Sequence, residues 1–194
     1  ESVKSYELGF KSLLGSNLLL DVYGFMNEYK DFITAVNVYQ LNGSDFTKFG
    51  VPVNATGKVK AYCGALGLDY IRGKYTLSGN VSYNGISDLP ANYNNDFNTP
   101  TIRYNLGLSN REVFKNVGFN VNYRWQDKFN WFSSFAGGEV PAFGTVDAQV
   151  NLKIPSIKSV IKVGGSNILN KYYFTSYGNP EAGAMYYVSL AFNP

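Results

Sequence analysis

The sequence predicts an all-β protein, an antiparallel up-and-down meander of about nine strands that forms part of a large transmembrane β-barrel. Three observations carry the prediction. Stretch after stretch alternates apolar and polar residues with a period of two, the period of a strand. The apolar positions are heavily aromatic, with 16 Tyr and 14 Phe among 194 residues. The connections alternate short and long along the chain. Tyr75–Asn84 has the cleanest pattern: Tyr75, Leu77, Gly79, Val81 and Tyr83 alternate with Thr76, Ser78, Asn80, Ser82 and Asn84. One face is greasy and the other is small, polar and uncharged. A strand placed between lipid and an aqueous lumen wants both.

Strand one covers about Val3–Leu13, with Tyr6, Leu8 and Phe10 on one face and Ser5, Glu7 and Lys11 on the other. Gly15-Ser16-Asn17 makes a tight turn. Strand two starts at Leu18 and is expected to run as far as Gln40, with Tyr23 and Phe25 on the face that holds Asp21. A polar loop spans about Leu41–Gly57. Strand three, Lys58–Ile71, points Tyr62, Leu66, Leu68 and Tyr70 outward, and Arg72-Gly73-Lys74 turns it into strand four, Tyr75–Ile86. The loop Ser87–Pro100 is rich in Asn, Asp and Pro, which interrupt a ladder.

Strand five, Thr101–Ser109, sets Ile102, Tyr104, Leu106 and Leu108 opposite Arg103 and Asn105. After a connection at about Asn110–Val117, strand six is expected over Gly118–Phe135, where Phe119, Val121, Tyr123 and Trp125 alternate with Asn120, Asn122, Arg124 and Gln126. A loop at Ala136–Phe143 leads to strand seven, Gly144–Ile154, which sets Val146, Ala148, Val150 and Leu152 against Asp147, Gln149, Asn151 and Lys153. Pro155–Lys158 turns into strand eight, Ser159–Tyr177. After Gly178–Ala184, the last strand is Met185–Asn193.

The long connections (Leu41–Gly57, Ser87–Pro100, Ala136–Phe143 and Gly178–Ala184) fall at one end of such a meander and the short ones at the other. Outer-membrane barrels sort their loops this way, whereas a Greek-key sandwich does not. The strands are long enough for the ~9–11 residues a tilted barrel strand needs to cross a bilayer. Many of the outward aromatics (Tyr62, Tyr70, Tyr75, Tyr83, Tyr104, Phe119, Tyr123, Trp125, Tyr186 and Phe192) lie near strand ends, where belts at the water–lipid boundary belong.

Composition excludes much else. There is no His, which removes Ser-His-Asp and Cys-His nucleophiles and the usual zinc sites. Cys63 is the one cysteine, so no internal disulfide or CxxC pair exists. Lys plus Arg (17) barely exceed Asp plus Glu (14), with no basic stripe of the kind that grips nucleic acid. Gly164-Gly165 lacks the flanking residues of a phosphate loop. Asn42-Gly43-Ser44, Asn54-Ala55-Thr56 and Asn80-Val81-Ser82 match a glycosylation acceptor pattern by chance in a chain rich in these residues. Asp147 and Glu139 are a wall residue and a loop residue, not a glycosidase pair. Neither enzyme chemistry nor a cofactor is expected.

Ser5-Tyr6-Glu7-Leu8-Gly9-Phe10-Lys11, Leu20-Asp21-Val22-Tyr23 and Tyr29-Lys30-Asp31-Phe32 resemble the late-barrel segment of TonB-dependent outer-membrane receptors. Val163-Gly164-Gly165-Ser166-Asn167-Ile168-Leu169-Asn170-Lys171-Tyr172-Tyr173 is similar to their penultimate strand, and Tyr186–Phe192 to their terminal strand. Asn193 and Pro194 follow the aromatic residue on which members commonly finish. The resemblance covers essentially the whole chain. It implies a parent protein with an N-terminal plug domain and a barrel of about 22 strands, of which residues 1–194 are the C-terminal portion.

By the same resemblance, the parent imports a scarce solute (an iron chelate, vitamin or oligosaccharide) across the outer membrane of a Gram-negative bacterium. It is driven by a TonB complex acting on the plug. An odd strand count cannot close an antiparallel barrel, so the piece by itself is expected to self-associate through two free edges.

Arg103, Arg124, Asp147 and Gln149 are the lumen-facing candidates for contact with a plug or ligand; the competing reading of the arginines is charge balance with wall carboxylates such as Asp147. The loop Tyr93–Asp96 and the aromatic stretch Phe129–Phe135 are placed at the long-loop end, with ordinary loop packing the simpler role. The alternative for the whole chain is a soluble β-sandwich or jelly-roll module that binds carbohydrate on its aromatics.

Overall fold

The computed structural model describes residues 1–91, 93–95, 97–133 and 136–192. Along the chain, β1 (Ser2–Leu14) and β2 (Leu18–Lys30) precede a hairpin of β3 (Ile33–Asn42) and β4 (Asp45–Asn54). There follow β5 (Lys58–Arg72), β6 (Tyr75–Ser87), β7 (Ile102–Phe114) and β8 (Val117–Gln126). A small hairpin of β9 (Phe129–Phe132) and β10 (Gly137–Val140) comes next. Then come β11 (Phe143–Ile154), a single 3-10 turn at Pro155–Ile157, β12 (Ser159–Ser166) and β13 (Met185–Phe192). Nine of these make one antiparallel sheet in the order β1-β2-β5-β6-β7-β8-β11-β12-β13. Each strand pairs with its predecessor in the wall, as an up-and-down meander requires, and β1 and β13 are its edges.

The registers put the outward residues on one face. A row perpendicular to the strands runs Phe10, Val22, Leu66, Val81, Tyr104, Trp125 and Gly144. The neighbouring row, one residue along, is Lys11, Asp21, Gly67, Asn80, Asn105, Arg124 and Thr145. No second layer covers the apolar face among the described residues: Leu8 is 81% exposed and Val188 76%. The few buried apolar side chains, Phe32, Ala55, Val59, Ala61 and Val140, gather near the long connections. This is a single-layer wall, not a sandwich with a sealed interior.

Aromatics bound the apolar face at both ends. On β5, Tyr62 and Tyr70 flank Leu66 and Leu68; on β6, Tyr75 and Tyr83 flank Leu77 and Val81; on β13, Tyr186 and Phe192 flank Val188 and Leu190. The eight steps from Tyr62 to Tyr70 cover about 26 Å along the strand, close to the apolar band a barrel presents to lipid. The upper aromatics touch across strands: Tyr62 stacks on Tyr83 with centroids 6.3 Å apart, and Tyr104 on Trp125 at 5.1 Å.

The strand boundaries differ from the sequence expectation at the long-connection end. Strand two does not run to Gln40. It stops at Lys30, because Asp31 adopts φ 55° and turns the chain out of the sheet. The supposed polar loop Leu41–Gly57 holds β4, paired with β3 around Gly43-Ser44. Likewise, strand six ends at Gln126 and strand eight at Ser166, where Asn167 takes φ 51°. The loop Ala136–Phe143 contains β10, and Phe135 lies outside the described residues. Strand five continues to Phe114 through a bulge between Asn110 and Phe114, which absorbs most of the expected connection.

Each short turn places one residue at positive φ: Gly15, Gly73, Asn116 and Lys158. Backbone bonds also link neighbouring turns to the wall. The Ile71 N–H donates to the Asn17 carbonyl (2.8 Å), the Arg111 N–H to that of Lys74 (3.1 Å) and the Lys153 N–H to that of Asn116 (2.8 Å). The short-turn end is therefore a continuous hydrogen-bonded rim.

Candidate functional site

The polar face is an array of paired amides and ions. Asn105 Nδ2 donates to Asn80 Oδ1 across β6 and β7 at 2.7 Å. Asn122 donates to Asn120, and Gln149 to Asn151, along their own strands. Lys11 Nζ lies 3.2 Å from Asp21 across β1 and β2. Tyr23 and Phe25 sit on this polar face with Asp21, since Val22 and Met26 take the outward positions. An amide ladder of this kind satisfies its own groups and still presents lone pairs and N–H donors to water or a ligand.

All four sequence candidates lie on this face. Arg124 Nη2 is 2.8 Å from one Asp147 oxygen and 3.2 Å from the other, so these two are an ion pair across β8 and β11. Asp147 Oδ1 also accepts the Asn167 backbone N–H at 2.9 Å. Gln149 is held apart from them: Tyr187 of β13 reaches across β12 and donates its hydroxyl to Gln149 Oε1 at 2.7 Å. That reach depends on Gly164, over which the Tyr187 ring lies with no room for a Cβ. Arg103 stands opposite Gln126. No carboxylate lies within ion-pair distance of it among the described residues.

Arg103 and Arg124 line one recess of about 410 Å³, together with Asn80, Asn105, Thr145 and Tyr173. Its roof is the connection between β12 and β13. Tyr173 stacks on Phe143 at 4.2 Å, and the Tyr177 ring occupies the space where Gly138 would carry a side chain. Asn167 anchors this connection. Its Nδ2 donates to the Lys171 carbonyl (2.7 Å), and its Oδ1 accepts the Lys171 N–H (3.1 Å). Asn170 Oδ1 accepts the Ala184 N–H at 2.9 Å. Both asparagines are in the left-handed region (φ 51° and 52°), which Asn tolerates better than other side-chain-bearing residues. That is the physical content of the Asn-Ile-Leu-Asn sequence.

The long connections are stitched to one another. In the loop between β6 and β7, Asn94 donates through its backbone N–H (3.1 Å) and its Nδ2 (2.8 Å) to the Ala35 carbonyl of β3. Asn98 bonds both backbone groups of Phe132 in β9, at 2.8 and 2.7 Å. Phe97 stacks on Phe32 at 5.4 Å and meets Tyr29 edge-on at 6.0 Å. Tyr93 packs against the same cluster. Asp96 lies outside the described residues. The expected loop packing at Tyr93 and Phe129–Phe132 is present, and it is organised by two asparagines that sequence reading passed over.

Sequence reading also missed the β3–β4 hairpin, whose far end exposes Tyr39, Leu41 and Phe46 on one face. Its signal was the Gly43-Ser44 pair between alternating stretches, a two-residue hairpin loop with Gly first.

In Lys128, between β8 and β9, Glu139 at 3.0 Å accepts a hydrogen bond from the ammonium and holds its pKa above the usual lysine value. No cluster of three or more metal-ligating side chains occurs among the described residues.

Comparison with known proteins agrees with this geometry. Residues 1–170 match the family described as TonB dependent receptor-like, beta-barrel. No curated protein matches in sequence. Among solved structures, the copper transporter OprC superposes with a TM-score of 0.73 at 16% identity, over 98% of this chain and 30% of that one. The FrpB iron transporter from Neisseria meningitidis (F3-3 variant) gives 0.70 at 17% identity, over 97% and 30%. The pyoverdine outer membrane receptor FpvA from Pseudomonas aeruginosa PAO1, bound to pyoverdine, gives 0.70 at 16% identity, over 97% and 29%. The chain spans about a third of the length of these proteins.

Proposed function

The chain belongs to the TonB-dependent receptor-like β-barrel family, and from that premise we propose that it is the C-terminal arc of a receptor wall whose parent imports a scarce solute. Members of the family are receptors and transporters of the Gram-negative outer membrane, not enzymes. In this reading the chain crosses the outer membrane, its short turns face the periplasm and its long connections face outside. The remaining strands and a plug domain belong to the rest of the parent. The solute is an iron chelate, vitamin or oligosaccharide, and a TonB complex supplies the energy by acting on the plug.

One observation carries this reading: nine strands present a charge-free outward band between two rows of aromatics, while the opposite face is amides and ion pairs. A soluble sandwich would bury that band against a second sheet. On the lumen side we assign Arg103 and the Arg124–Asp147 pair to contact with an anionic ligand or a plug. Gln149, tied to Tyr187, belongs to the same wall lower down.

Expression of the chain alone tests the reading. A barrel arc enters inclusion bodies and, refolded in detergent, self-associates through β1 and β13. A water-soluble monomer would instead favour the carbohydrate-binding sandwich.

A further inference from the structure

We propose that the short-turn rim is a binding site for the phosphates of anionic glycerophospholipids in the leaflet it meets. The proposal rests on the bilayer reading above and adds a charged ligand to it. Its first support is charge sorting. The short turns and their immediate flanks carry Arg72, Lys74, Arg111, Lys115 and Lys158 against the single carboxylate Glu112. The long connections and their flanks are near balance: Glu28, Asp31, Asp45, Asp88, Asp96, Asp127, Glu139 and Glu181 stand with Lys30, Lys48, Lys58, Lys60, Arg103, Lys128 and Lys171.

The second support is that four of these five cations have no carboxylate partner among the described residues. Glu112 pairs with Lys74. Among the described residues, no carboxylate lies within ion-pair distance of Arg72, Arg111, Lys115 or Lys158, and all four are exposed. At the other margin of the wall two lysines are engaged, Lys58 at 2.7 Å from Glu28 and Lys60 at 3.0 Å from Asp88.

The third is position. Arg72 stands opposite Tyr75, level with the lower aromatics. Phe114, 73% exposed, stands opposite Val117 and continues the outward row of Val117, Leu152, Ile161 and Leu190. Lys115 follows Phe114 and Lys158 follows the exposed Ile157, so two turns pair an exposed apolar side chain with a cation. Such a pair seats its apolar member at the acyl boundary and lets the cation reach the phosphates. The rim is pre-organised: Lys74 and Arg111 share a backbone bond, as do Asn116 and Lys153. Each turn covers two strands, so successive turns stand about 10 Å apart. Lys158 also holds φ 47°, where glycine is the unstrained choice, so a cation stands there against local preference.

The test uses the parent receptor, purified in zwitterionic detergent and offered phosphatidylglycerol or phosphatidylcholine of the same chain length, with retained lipid counted by native mass spectrometry. The expected result is preferential retention of phosphatidylglycerol. It should fall about fivefold for each cation neutralised in Arg72→Gln, Arg111→Gln, Lys115→Gln or Lys158→Gln, and fall again when salt is raised from 50 to 500 mM. Millimolar inorganic phosphate should leave it unchanged; full competition by phosphate would make the site one for free anions and overturn the lipid assignment. Lys158→Gly guards against misfolding, since it relieves the backbone and should fold at least as well while losing lipid. Equal retention of the two lipids by the wild type, or undiminished retention by the variants, overturns the proposal. A heat-modifiable, detergent-requiring barrel with no lipid preference sinks this inference alone, whereas a parent that is soluble without detergent sinks the bilayer reading.

Discussion

The Asp147 carboxylate accepts the backbone N–H of Asn167 at 2.9 Å, and so ties the middle of one wall strand to the first residue of the connection that roofs the arginine-lined recess. The same carboxylate pairs with Arg124. One acidic side chain therefore positions both a cation of the polar face and the loop above it.

Asp147→Asn keeps the shape and removes the charge. Arg124 is half exposed, so the loss is limited by solvent screening. A decrease of about 1–2 kcal/mol is expected, read as a fall of about 1–1.5 °C in the thermal midpoint of the folded receptor in detergent. Arg124→Gln should cost less, because Asp147 keeps its charge-assisted bond to Asn167, which the amide of Asp147→Asn weakens. Equal losses in the two variants would contradict the assigned geometry.

Asn167 is 1% exposed and makes two side-chain bonds at positive φ. Asn167→Ala loses those bonds and adds backbone strain, for about 2–4 kcal/mol in all. Asn167→Gly removes the strain but not the loss of bonding. It should recover about 1 kcal/mol of that deficit. Chemical denaturation of the three proteins gives the order wild type, Gly, Ala.

The outward and inward faces respond differently to charge. Val81→Lys places an ammonium on the apolar band beside Tyr104 and Leu66, which costs about 2–4 kcal/mol at the bilayer midplane. Asn80→Lys, one residue away, faces the lumen and should be close to neutral. Folding yield of the parent into vesicles separates them. If both variants fold equally well, the lipid-facing assignment is wrong.

Gly164→Ala should displace Tyr187 and break its 2.7 Å bond to Gln149. Crowding against the Ala148 carbonyl makes this costlier than loss of the hydroxyl alone: about 1–3 kcal/mol, against about 0.5–1.5 for Tyr187→Phe. Chemical denaturation of the two variants should place Gly164→Ala below Tyr187→Phe in stability.

The Lys128–Glu139 pair sets a pH window. The folded ammonium has its pKa raised above 10.5 by the hydrogen bond and charge of Glu139. Its contribution is therefore fully present below 10.5, the unfolded lysine value, and is lost as pH rises through the higher folded value. Lys128→Gln should change the Trp131 fluorescence melting profile by the same amount at pH 7 and pH 9. An effect that already shrinks between pH 7 and pH 9 would contradict the pairing.

The wall was legible from residue order alone because a strand buried against lipid on one side must alternate without error. Tyr75–Asn84 does so, and its register with β5 and β7 follows from matching like faces. The short turns were legible too, since Gly15, Gly73 and Asn116 are residues that accept positive φ. The long-connection end was not. There the period breaks at Asp31 and Asn167, and order comes from contacts remote in the chain, such as Asn94 with Ala35 and Asn98 with Phe132. For the candidate residues, alternation placed Arg103, Arg124, Asp147 and Gln149 on one face. The charge-balance reading named Asp147 for either arginine; the folded chain gave it to Arg124 and not to Arg103, and tied Gln149 to Tyr187.

Residue order by itself determined that this chain is a membrane-type wall with a greasy side and a wet side, because period-two alternation is a local property of the backbone. Tertiary structure alone decided which wet residues meet, and how four long connections knit into a margin, because those partners are set by strand register and loop closure across many residues.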